Sequence, residues 1–93
     1  MKELENWYLS NCDGDWEHQY GITIESLDNP GWRVLIDLTG TKLEQIGFEK
    51  INNTESESKW IVCKVENNKF IGAGGPQQLT EVLNIFIDWV ERN

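Results

Sequence analysis

Apolar residues recur at helical spacing at both ends of this chain and alternate with polar ones in between. Near the N-terminus Leu4, Trp7, Tyr8 and Asn11/Cys12 fall at i, i+3, i+4 and i+7/i+8, the stripe of a short amphipathic helix over residues 2–12. Glu3 and Glu5 stand near the positive end of its dipole. The segment from Asn11 to Glu17 is rich in Asn, Asp and Gly, which tolerate tight turns, and predicts a loop displaying Asp13, Asp15 and Trp16. From Tyr20 the pattern changes to a period of two: Tyr20, Ile22, Ile24 and Ser26 oppose Gly21, Thr23, Glu25 and Leu27. Trp32, Val34, Ile36 and Leu38 likewise oppose Arg33, Leu35 and Asp37, so two half-buried strands form a hairpin. Asp28-Asn29-Pro30-Gly31 between them predicts a type II turn centred on Pro30 and Gly31.

Farther on, Ile46, Phe48 and Ile51 predict a third strand, and the stretch from Asn52 to Lys59, with no apolar residue, predicts a loop. Residues 59–66 and 69–73 are rich in β-formers and flank Asn67-Asn68, the place of a two-residue hairpin turn. After Gly72-Ala73-Gly74-Gly75, Pro76 suits the first position of a helix whose stripe is Leu79, Val82, Leu83, Phe86, Trp89 and Val90. The expected fold is α+β over one domain spanning 1–93: an N-terminal helix, an antiparallel meander sheet of four to five strands and a C-terminal amphipathic helix, both helices on one face of the sheet.

Composition supports that reading. A hydrophobic fraction of 39% with five Trp is enough for one core without staples, and 93 residues are too few for two. Cys12 and Cys63 lie far apart with no CxxC spacing, so reduced thiols are expected, and neither a zinc site nor a disulfide. No apolar run reaches membrane-spanning length and Met1 to Tyr8 lacks the apolar core of a secretory signal, which predicts a cytoplasmic protein. Charge adds a direction. The net charge is −8, and the first 28 residues hold seven carboxylates against one base, −6 of it. Nucleic acid and anionic membrane are therefore disfavoured as partners, and a basic protein is favoured.

Chemical motifs are sparse. The GAGG run has Gln77 where a dinucleotide loop needs Gly, and no Lys-Ser/Thr follows it. Asp13, Asp15 and Glu17 resemble the opening of a calcium loop, but His18 and Ile24 occupy its required Gly and Glu positions. Cys12 and His18 could serve a small cysteine-dependent enzyme as nucleophile and base. If residues 16–20 are extended, Glu17 and His18 point to opposite faces, which disfavours a shared metal. A third reading is a small ligand held between Trp16, Trp32 and the sheet. For Trp16 itself, interface anchor and core filler weigh equally, while for Trp32 the core reading leads. No cofactor is implied.

The run WYLSNCDGDWEHQYGITIESLDNPGW, followed by RVLIDL, Thr41 and a C-terminal NIFIDWV, resembles the immunity protein 53 family of bacterial polymorphic toxin systems. Its motif residues here are Trp7, Tyr8, Cys12, Asp13, Trp16, Glu17, Tyr20, Gly21 and Asp28 to Trp32. The resemblance implies a small cytosolic, non-catalytic α+β protein that binds a cognate toxin and blocks it. Joined to the charge reading, it predicts a basic toxin, a nuclease for example, held by an acidic aromatic surface of Asp13, Asp15, Trp16, Glu17, His18, Tyr20, Asp28, Asn29 and Trp32.

Overall fold

A computed structural model describes all 93 residues. The chain runs α1 (Lys2–Asn11), α2 (Trp16–Gln19), β1 (Ile22–Leu27), β2 (Gly31–Asp37), β3 (Ile51–Thr54), β4 (Trp60–Glu66), β5 (Lys69–Gly74) and α3 (Leu79–Arg92). The α+β class, the five-stranded antiparallel sheet and the two terminal helices are as the sequence predicts. Spatial order in the sheet is β1-β2-β5-β4-β3, so the expected meander is broken between β2 and β3. The irregular segment from Leu38 to Lys50 carries the chain past two positions, so that β3, β4 and β5 return strand by strand until β5 pairs with β2, Trp32 opposite Gly74 and Asp37 opposite Lys69.

Period-two alternation sorts the residues into two faces. Val34, Ile36, Phe70 and Cys63 are buried completely beneath the helices, where Val82, Phe86, Ile87 and Trp89 of α3 meet them. On the opposite face, alternate residues of the same strands leave Glu25 paired with Arg33, Asp37 with Lys69 and Lys64 with Glu66. α3 lies close on β5 because two strand positions lack a side chain. A Cβ on Gly72 would come within 2.5 Å of Val82 Cγ1, and one on Gly74 within 3.0 Å of Gln78 Cβ and 3.1 Å of Val82 Cγ2. The glycine run is thus a seat for the helix, not a phosphate loop.

Four local details differ from the expectation. The β1–β2 connection is a three-residue turn, Asp28 to Pro30, and Gly31 is the first residue of β2, opposite Leu27. Gly31 has no positive φ; glycine is required there because a Cβ would stand 2.6 Å from the Gly74 carbonyl oxygen. Of the expected third strand only Ile51 is in place: Ile46 and Phe48 lie outside it, and β3 runs from Ile51 to Thr54 into the expected loop. As the outer edge it needs no apolar alternation, and Phe48 instead packs edge-on against Phe70 and Trp89. Residues 16–19 form one helical turn, neither loop nor strand. Finally α3 begins at Leu79, not Pro76, because Gly75 is held by Trp60 and Gln78 closes a turn on Gly75. The Asn67-Asn68 turn is as expected, with φ of 54° and 60°, the paired left-handed geometry of a type I′ hairpin.

Overfilling the seat tests this packing. Gly72→Ala is expected to cost about 1–3 kcal/mol in chemical denaturation, with part of the loss recovered by Val82→Ala in the same chain. Full additivity of the two losses would show that α3 does not bear on β5 here.

Candidate partner-binding surface

The DGDWEHQY segment is built by its own carboxylates. Asp13 Oδ1 accepts from the backbone N–H of Asp15 at 2.9 Å and of Trp16 at 3.0 Å. Glu17 reaches back, its Oε1 accepting from Asp13 N–H at 2.9 Å and its Oε2 from Gly14 N–H at 2.8 Å. Four consecutive N–H groups before and at the start of α2, which a helix cannot satisfy itself, are thereby all paired. Gly14 turns the chain at φ +96°, open to glycine at little cost.

These bonds favour the ionised acids. The N–H groups of Trp16 and then Asp15 hold the Asp13 carboxyl below its ordinary 3.8, against a smaller opposing effect of desolvation. Glu17 is held below its ordinary 4.5 chiefly by its own backbone N–H, then by those of Asp13 and Gly14, again against desolvation. The Tyr8 phenol beside them is raised, first by the Cys12 thiol, then by desolvation and a Cys12 hydrogen bond, and least by the Glu17 charge.

Trp16 is an interior residue, only 6% exposed. Its indole N–H donates to the Thr39 carbonyl at 2.8 Å, and its ring meets Trp7 and Tyr8 edge-on, each at a centroid distance of 6.0 Å. It pins the loop to the core, so the tryptophan sits beneath the acidic loop instead of projecting from it. Asp13, Asp15 and His18 are exposed, and Glu17 and Tyr20 are partly covered.

Asp28, Asn29 and Trp32 lie at the other end of β1. Six strand residues at roughly 3.3 Å each separate the two groups by about 20 Å. Asp28 and Asn29 are exposed in the turn, while the Trp32 indole N–H donates to the Pro76 carbonyl at 3.0 Å, tying β2 to the approach of α3. The nine predicted residues therefore form two groups, and no ligand can be held between Trp16 and Trp32 as the third reading supposed.

The Cys12 thiol donates to the Tyr8 carbonyl oxygen at 3.3 Å, and His18 makes no side-chain hydrogen bond. Burial pushes the Cys63 thiol up to about 11. No group of three or more His, Cys, Asp and Glu side chains is placed to hold a metal ion.

A groove of about 430 Å³ that residue-by-residue reading of the chain does not reveal opens between α1 and the start of β1, lined by Leu4, Glu5, Tyr8, Tyr20, Gly21 and Ile22. Tyr20 is its one predicted member. Tyr8 and Gly21 enter the sequence reading only as motif residues, and Leu4, Glu5 and Ile22 read as ordinary helix and strand positions, since nothing local tells that these two elements stand apart at the surface.

A family model for immunity protein 53 matches residues 1–91. The chain belongs to the immunity protein 53 family. Comparison with curated proteins and with solved structures gave no match. Family membership implies a cognate toxin as partner. No helix is long and apolar enough to cross a membrane.

The loop's stability has a defined pH dependence. Both carboxyls are lower in the fold than free, so the stabilisation from Glu17 is present above its ordinary 4.5 and that from Asp13 above its ordinary 3.8, and each is lost as pH falls through the group's own lowered value. Glu17→Gln keeps the shape but leaves one N–H facing an amide. Its melting temperature is expected below wild type at neutral pH, with the gap closing in acid; a gap independent of pH would refute the assignment.

Proposed function

We propose that this protein neutralises a cognate toxin of a polymorphic toxin system by stoichiometric binding, without catalysis, and that the toxin is basic, a nuclease for example. The contact surface is the side of the molecule formed by α1, the Asp13–Tyr20 segment and β1. The observation that carries this is a coincidence of charge and exposed apolar area. Of five large apolar side chains left exposed, Met1, Tyr8 (39%) and Leu9 (69%) belong to the α1 segment and Ile24 (42%) to β1. The same stretch of chain holds the acidic excess. Apolar area rimmed by charge is the usual anatomy of a protein interface, and the charge speeds encounter with an opposite partner.

Roles divide accordingly. Trp16, Asp13 and Glu17 give the loop its shape, and Asp15, His18, Tyr8 and Tyr20 offer contacts. An interface of standard size takes about 800 Å² on each partner.

Charge reversal at each end locates the surface. Neither the Asp15 nor the Asp28 carboxylate makes a hydrogen bond inside the chain, and both residues are exposed, so Asp15→Lys and Asp28→Lys should melt close to wild type. Calorimetric titration with the purified toxin encoded beside this protein should show Asp15→Lys weakening affinity by about tenfold, more at low salt, and Asp28→Lys by much less. The reverse ranking would move the interface to the Asp28–Pro30 turn.

A further inference from the structure

We infer that the outer edge of β1 receives an extended, basic segment of the toxin as a sixth strand of the sheet, with one of its apolar side chains seated in the groove between α1 and β1. This rests on the immunity reading and specifies how the partner is engaged.

The two edges of the sheet differ in kind. β3 is short, four residues with the sequence INNT, and almost wholly polar, the form in which natural sheets blunt an edge against pairing. β1 is longer, six residues, and contains neither Lys nor Pro. Its one charge, Glu25, accepts from Arg33 Nε at 2.6 Å on the open face of the sheet, away from the edge.

Backbone register shows what the β1 edge offers. Asp37 N–H donates to the Gly21 carbonyl at 3.0 Å, and hydrogen-bonded pairs alternate along an antiparallel ladder. Counting on through Thr23–Leu35, Glu25–Arg33 and Leu27–Gly31, the N–H and C=O groups of Ile22, Ile24 and Ser26 point outward, with no partner in the chain. An incoming strand can bond all three.

Side chains agree with that register. Ile22, Ile24 and Ser26 share the helix-bearing face with Ile36, Val34 and Trp32. Ile22 lines the groove with Leu4, Tyr8 and Tyr20, and Ile24, the next residue on that face, is 42% exposed. Alternate side chains of an added strand fall on these positions. Nothing lies within 4 Å of where a Cβ of Gly21 would stand, so the backbone at the mouth of the groove is open to approach.

Charge selects the occupant. Glu5 lines the groove, the Glu17 charge reaches Tyr8, and Asp13 and Asp15 lie just beyond. A second copy pairing β1 with β1 would bring an equal set of carboxylates to the same place, whereas Lys and Arg on a toxin strand would find counter-charges.

Backbone amide hydrogen exchange on the wild-type protein, with and without the purified toxin encoded beside it, tests this directly. Exchange at Ile22, Ile24 and Ser26 is expected to slow by roughly tenfold or more in the complex, while Thr23, Glu25 and Leu27 are protected already. Ile24→Pro removes an N–H the fold does not use, which an edge strand tolerates, and should weaken the toxin by roughly tenfold or more with the circular dichroism spectrum retained. A complex that leaves those three amides unchanged overturns the added strand while sparing the immunity reading. Protection that grows with protein concentration without toxin, together with a dimer in sedimentation, assigns the edge to a second copy and overturns the toxin strand. Failure of the wild type to bind this toxin at all overturns both.

Discussion

Phe86 of α3 meets Trp7 of α1 at a ring-centroid distance of 4.9 Å and Phe70 of β5 at 5.1 Å, and Trp89 and Phe48 extend the same cluster. From Trp7 the contact passes edge-on to Trp16. One continuous aromatic column thus joins both terminal helices, the sheet and the acidic loop. Rings of this size bury about 150–250 Å² each, and edge-to-face pairs add to that area effect. A domain of 93 residues has little other interior to spend on holding a four-residue helix and its loop in place. The column forms only because α3 sits close on the glycines of β5, so Gly72 and Gly74 belong to the same device although they carry no side chain.

For the binding proposed above, the consequence is preorganisation. Four N–H groups are satisfied by two carboxylates, and Trp16 is anchored by a hydrogen bond to Thr39 as well as by its neighbours. A loop held in one shape loses less conformational freedom on association than a mobile one. The same acids lend negative potential to the surface while being ordered by bonds to it. Asp13 and Glu17 therefore act twice, structurally through their oxygens and electrostatically through their charge.

What was legible in the sequence was whatever is local. The α3 stripe, the alternation of β1 and β2, and the Asn67-Asn68 turn each follow from residues within a few positions of one another, and the structure agrees. The strand Ile51–Thr54 was not legible, because an edge strand exposed on both faces has no hydrophobic period to read. Gly31 was misread for a related reason: turn chemistry is a local inference, whereas the carbonyl that forbids its Cβ belongs to Gly74, across the sheet. Trp16 balanced evenly between interior and surface until Thr39 and Gly40, more than twenty residues on, supplied its pocket. For the site, the sequence located the acidic segment, but strand β1 divides the nine residues between two ends, a distance that composition cannot register. Which strand is an edge is a property of the whole topology and appears in no window of sequence.

Charge is distributed over this fold in a way that assigns its faces. The open side of the sheet carries Glu25, Arg33, Asp37, Lys64, Glu66 and Lys69, and each finds an opposite partner within the face. That surface is neutral as a whole and exerts little long-range field. Half of the chain's net −8 collects instead along α1 and the Asp13–Glu17 loop, where Glu3, Glu5, Asp13, Asp15 and Glu17 face only Lys2, beside the long bare edge and the apolar groove. For the basic partner proposed above, the summed field acts over distance towards the edge where backbone groups and apolar side chains are unspent. On that proposal steering and docking converge on one side of the molecule, while the polar β3 edge and the self-paired sheet face offer a wrong partner little to hold.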